Sequence, residues 1–130
     1  MTTATQPWPI EAARQSSRSK NLFLWTLQIV SAALFLAAGF SKLAGAGAMV
    51  QLFAQIGIGQ WFRYVTGAIE VVGAVLLLVP SLAFMGGGVL AVTMVGAILT
   101  HLFIVGGNPL VPILLLAATT TVLVVRGGAR

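Results

Sequence analysis

Four ionisable residues stand within or beside long apolar stretches of this chain: Lys42, Arg63, Glu70 and His101. Glu70 is the most demanding. A carboxylate at the centre of a membrane helix costs about 2.5–3.5 kcal/mol, so it must face protein and find a partner, or take up a proton. Lys42, Arg63 and His101 are the candidate partners. Together they have the chemistry of a ligand pocket: cationic donors, an anionic acceptor, and an imidazole that titrates near neutral pH and can pass a proton to or from Glu70. A plain buried pair that fixes helix register uses the same residues. One His and one Glu are too few for a closed metal site, so no metal is expected. The chain has no cysteine, which excludes disulfides, thiol redox chemistry and thiolate metal sites within it.

The residues around these four follow helical spacing. Thr66 and Gly67 share a face with Glu70, which lies seven residues beyond Arg63. At the helical rise this puts Glu70 roughly 10 Å deeper than Arg63. Thr93, Ala97 and His101 recur at four-residue intervals, with Thr100 beside His101. Thr66, Gly67, Thr93, Ala97 and Thr100 therefore form the expected lining around the charged groups. Gln28 and Ser31 are further donors, nearer the other half of the membrane. Thr119, Thr120 and Thr121 read as hydroxyls bonded to their own helix.

The elements that hold these residues are membrane helices. The chain is 58% hydrophobic and 7% charged, too little charge to solvate a globule of 130 residues. Apolar runs predict spans over about 22–40, 62–79, 82–105 and 109–125, each near the length that crosses a bilayer core of about 30 Å. Asn21 is placed to cap the first. Pro80 stops the second, Ser81 caps the third, and Gly106-Gly107 ends it. Asn108-Pro109 starts the fourth and Arg126 terminates it. Between spans one and two, Val50, Phe53 and Ala54 share one face and Gln51 and Gln55 another. This predicts a short interfacial helix ended by Gly57 and Gly59. The expected fold is thus all-α: an integral membrane four-helix bundle over 21–126, preceded by a disordered cytoplasmic tail over 1–20. Small residues (Ala33, Ala37, Gly67, Ala74, Gly86-Gly87-Gly88 and Gly96) allow close helix packing.

Charge placement orients the bundle. Arg14, Arg18, Lys20, Arg126 and Arg130 fall on one side, and only Lys42 and Arg63 on the other. The excess of basic residues predicts both termini in the cytoplasm. Basic residues gathered at the ends, without interleaved aromatics, argue against nucleic acid as a partner. The first segment also has the layout of a secretory signal, with a basic region, an apolar run and Ala44-Gly45-Ala46. Its apolar run exceeds the about 7–15 residues of such signals, so a retained span is expected.

Three motifs resemble the DoxX family, most nearly its DoxX-like branch. Gly39-Phe40-Ser41-Lys42-Leu43 resembles the G-x-x-K-L that closes the first span. Gly67-Ala68-Ile69-Glu70 resembles the second-span G-x-x-E, and Ala97-Ile98-Leu99-Thr100-His101 the third-span A-x-x-x-H. The similarity covers about residues 22–126. It implies a four-helix protein of the bacterial inner membrane, with Lys42, Glu70 and His101 at motif positions and Arg63 fitting the branch. Some members of that family are subunits of a thiosulfate:quinone oxidoreductase, and others are linked to oxidative stress. The absence of cysteine and of a cofactor motif sets this chain apart from redox-active members and argues against catalysis by it alone.

The resulting expectation is a membrane subunit or scaffold of a redox or stress-related system, with an outer-half pocket for a quinone or lipid head group. Its partners would be the bilayer, a membrane or redox protein, or a second copy of itself. Two alternatives remain open: a small proton-coupled transporter, and an assembly partner without ligand.

Overall fold

A computed structural model describes residues 8–128. Five helices follow in order: α1 (Trp8–Ala44), α2 (Gly47–Ile56), α3 (Trp61–Leu77), α4 (Ala83–Thr100), which continues as a π-helical turn over His101–Val105, and α5 (Leu110–Gly128). There is no strand among the described residues. Segments 12–44, 83–105 and 110–128 are long and apolar enough to cross a membrane. The 17 residues of α3 rise about 25 Å, and this helix completes the four-helix bundle.

Side-chain contacts define the topology. Gln28 meets the end of α3 at Leu77, whereas Lys42 meets Glu70, so α1 and α3 are antiparallel. Gly86 packs on Leu77 and Gly73 on Leu90, which makes α3 and α4 antiparallel, and Gly87 and Gly127 pair α4 with α5 in the same sense. The result is an up-down-up-down bundle with both termini at one end. Its core holds Phe35, Ala74, Leu77, Leu90, Met94 and Val122. Its outside is apolar as well, with Val92 and Phe103 more than 70% exposed, as befits a surface solvated by lipid tails.

Where helices touch, glycine sets the distance. A Cβ on Gly39 would lie 2.9 Å from the Gly67 carbonyl, and one on Gly67 would lie 3.0 Å from the Gly39 carbonyl. Gly86 and Gly87 act back to back, the first against α3 and the second against α5. Lipid gives apolar side chains no reason to leave it, so this close backbone approach supplies the association. Ala33 and Ala37, by contrast, are exposed and take no part in the buried contact expected of small residues.

Several expected boundaries are corrected. α1 begins at Trp8 rather than near residue 22, so residues 8–20 of the expected disordered tail are helical. Pro9 falls in the first turn, where its missing N–H is harmless. The following residues include good helix formers and extend a helix already nucleated by the span. Residues 1–7 and Arg130 lie outside the described residues. Asn21 is therefore mid-helix and caps nothing. Ser81 does not cap α4 either: the preceding residue of that helix is Leu82, with no side-chain cap. The 78–82 link satisfies itself with backbone turns such as Leu78 N–H to Val75 O and Leu82 N–H to Val79 O. Arg126 does not end α5, which runs on to Gly128. Asn108 does serve as expected, its Oδ1 accepting from the Leu110 N–H at 3.0 Å.

Candidate functional site

The crossing of α1 and α3 builds the charged pair. Lys42 lies one turn beyond Gly39, and Glu70 one turn beyond Gly67. Because the two glycines let the backbones nearly touch, the two longer side chains meet across the same interface. Lys42 Nζ lies 2.9 Å from Glu70 Oε1, with the Glu70 side chain 3% exposed and Lys42 13%. The spacing of both motifs thus has a packing cause: glycine sets the crossing and the charged residue is carried to it.

The pair opens on a cavity of about 620 Å³. Most of its wall is apolar, with Phe35 from α1, Met94 from α4 and Leu115 from α5. Its polar groups are Lys42, Glu70, Thr66, Thr93, Thr100, His101 and Asn108. α2 closes one side with Met49, Leu52, Phe53 and Ile56, a stripe at helical spacing. Phe53 is buried and meets Phe62 edge-to-face at 5.8 Å. Val50, Phe53 and Ala54, expected to share one face, differ in surroundings: Phe53 faces in, while Ala54 is exposed.

Hydrogen bonding fixes what each group can offer. The hydroxyls of Thr66, Thr93 and Thr100 donate to the carbonyls of Phe62, Val89 and Gly96, each at 2.8 Å. Their protons are committed, and what remains is acceptor capacity. His101 Nδ1 lies 2.9 Å from the Ala97 carbonyl. A carbonyl only accepts, so Nδ1 carries the proton and Nε2 of the neutral ring is an acceptor. His101 also opens the π-helical turn, a local widening that is frequent at functional sites.

Lys42, Glu70, Thr66, Thr93, Ala97, Thr100 and His101 are thus brought to one cavity. Arg63 and Gly67 are not among its lining. Arg63 is 5% exposed and its guanidinium serves the framework. Nη1 donates to the Lys42 carbonyl and Nε to Gln60 Oε1 at 2.7 Å, while Gln60 Nε2 donates to the Val50 carbonyl at 3.0 Å. Arg63 so ties the end of α1 to α2 and α3. The same corner turns at Gly45, whose φ of 76° suits glycine. There the Ala46 N–H bonds the Ser41 carbonyl and the Gly45 N–H the Lys42 carbonyl, a Schellman ending.

A second polar cluster, at the termini end, escaped the sequence reading. Arg126 donates from Nε to Gln28 Oε1 at 2.8 Å and from Nη1 to Asn21 Oδ1 at 2.9 Å. Gln28, fully buried, donates from Nε2 to the Leu77 carbonyl at 2.7 Å. The signal was the two-turn spacing of Asn21 and Gln28 on α1, but nothing in it named Arg126 as the partner.

The DoxX-like family model matches residues 26–125, from within α1 almost to the end of α5. The chain belongs to the DoxX-like family. The matched region of this DoxX-like protein contains the glycine crossing, the ion pair, His101 and the whole cavity. It is also similar to a Bacillus subtilis (strain 168) protein named Putative oxidoreductase CatD, with 34% identity over 74 residues, 57% of this chain. The match spans about half of that relative, 55% of its length. No solved structure matches the DoxX-like chain at a significant level.

Proposed function

We propose that this DoxX-like protein is the membrane-embedded subunit or scaffold of a redox or stress-related membrane system, and that its cavity receives the head group of a quinone or lipid. The observation that carries this reading is the make-up of the cavity: a largely apolar chamber with the Lys42 ammonium on one wall and the His101 imidazole on another. A quinone carbonyl accepts from an ammonium such as Lys42. A quinol hydroxyl donates to an acceptor such as His101 Nε2. Glu70 holds Lys42 in place and is the group through which a proton taken up by the reduced head group would pass. Apolar walls with few convergent polar groups are the usual form of a small-molecule site. The oxidoreductase name of the relative agrees with a redox setting. With no cysteine in the chain, the electrons would come from a partner protein.

The charge asymmetry supports cytoplasmic termini and the family resemblance a bacterial inner membrane; on this reading the cavity lies in the outer half. The test is analysis of protein purified in native lipid. Wild type should carry a quinone or a specific lipid near one per chain, and Glu70→Gln should carry markedly less. Equal occupancy in both proteins would overturn the pocket assignment.

A further inference from the structure

The termini end of the bundle holds a second cavity, of about 460 Å³, that the proposed function does not use. It lies between the N-terminal extension of α1 and the last turn of α5. Arg14, Ser17, Asn21 and Leu24 line it at the three- and four-residue intervals of one helix face. Arg18 and Lys20 flank that face, and Val125 and Arg126 form the opposite wall. Among the described residues, four of those lining the cleft are cationic and none is acidic. The whole chain has two acidic residues, Glu11 and Glu70, and Glu70 is paired with Lys42 at the far end.

The cleft is also graded in polarity. Leu24 and Val125 belong to the apolar spans, whereas Arg14, Arg18 and Lys20 stand before the apolar run and are exposed. Arg126 sits at the boundary, with its guanidinium 5.7 Å from the centre of the Trp25 ring. Two of its nitrogens are held by Gln28 and Asn21, and the third, Nη2, is buried without a hydrogen-bond partner. Four like charges round one cleft raise a strong positive potential. An apolar floor beneath cationic walls matches an amphipathic molecule with an anionic head.

We infer that this cleft is a binding site for the phosphate of an anionic phospholipid, with Arg14, Arg18 and Lys20 contacting the head group above the fixed guanidinium of Arg126. Basic clusters beside membrane helices attract such head groups, and here α5 gives the cluster a second wall. Free phosphate shares the recognised chemistry but has no use for the apolar floor.

The full-length chain in nanodiscs would be titrated with phosphatidylglycerol, phosphatidylcholine and inorganic phosphate, with bound lipid counted by native mass spectrometry. Wild type should retain phosphatidylglycerol over phosphatidylcholine, less so at high salt, and phosphate alone should not displace it. The combined Arg14→Gln, Arg18→Gln, Lys20→Gln variant alters only exposed side chains. It should weaken phosphatidylglycerol retention about tenfold or more, while the matching arginine-to-lysine variant should keep it. Equal retention of both lipids by wild type, or unchanged retention in the neutral variant, would overturn the site. Displacement by phosphate at comparable concentration would overturn the lipid assignment. Glu70→Gln should bind phosphatidylglycerol normally, which separates this site from the quinone cavity.

Discussion

The two ends of this bundle solve the problem of a buried charge differently. At the termini end, the buried face of Arg126 is held by neutral partners, Gln28 and Asn21, and Gln28 is itself tied to the Leu77 carbonyl. That network joins α1, α3 and α5 and forms a lock. At the opposite end, Lys42 and Glu70 face one another as a full ion pair and border a chamber of about 620 Å³. A lock has no need of a chamber. A pair whose only task was helix register would be better enclosed, since a buried ion pair contributes little net stability compared with apolar packing. On the proposed reading the first end serves as a lock and the second as the ligand contact.

The largest effect is expected from Lys42→Leu, which leaves Glu70 buried without its cation and should destabilise by about 3–5 kcal/mol in detergent thermal unfolding. The double variant with Glu70→Leu should recover most of that loss while binding no quinone. If the double variant also fails to recover, the pair has a larger structural share than this comparison allows. Next comes Gln28→Leu, which strips a hydrogen bond from Arg126 and one from the Leu77 carbonyl, at about 2–3 kcal/mol. Its folded fraction should bind quinone as wild type does.

A smaller effect falls on the crossing that makes the pair. Gly39→Ala puts a methyl against the Gly67 carbonyl and the Val71 side chain and should cost about 1–3 kcal/mol. Because the helices must part, it should also weaken ligand binding without touching the cavity wall. The smallest stability change is expected for His101→Phe, which keeps a ring at the cavity and removes the Nε2 acceptor. Unfolding should shift by about 1 kcal/mol or less, whereas quinol affinity should fall about tenfold, and quinone affinity much less.

Much of this was legible in the residues. Apolar runs located the four long helices, and Lys42 stood among the three candidate partners of Glu70, although the residues alone did not choose between them. Thr93, Ala97, Thr100 and His101 fell on the cavity because helical periodicity alone decides which residues share a face. Arg63 stands off the cavity wall; sequence shows a charge near the membrane but not the carbonyl it serves. In this case that is the end of α1, where Schellman geometry leaves the Lys42 oxygen within reach. The lock was missed because Gln28 and Arg126 are 98 positions apart, and only the closed bundle joins them. The tail was misread because helix propensity past a span is decided by a nucleus that lies outside the segment itself.

The most direct test of ligand contact at one end and locking at the other is a quinone titration of Glu70→Gln and Gln28→Leu side by side in nanodiscs, with unfolding measured on the same samples. Glu70→Gln should lose quinone affinity by about tenfold or more, as loss of a charged hydrogen-bonding partner implies, with the smaller loss of stability. Gln28→Leu should lose stability with affinity unchanged. Equal affinity in Glu70→Gln and wild type, or affinity falling in step with stability in both variants, would contradict it.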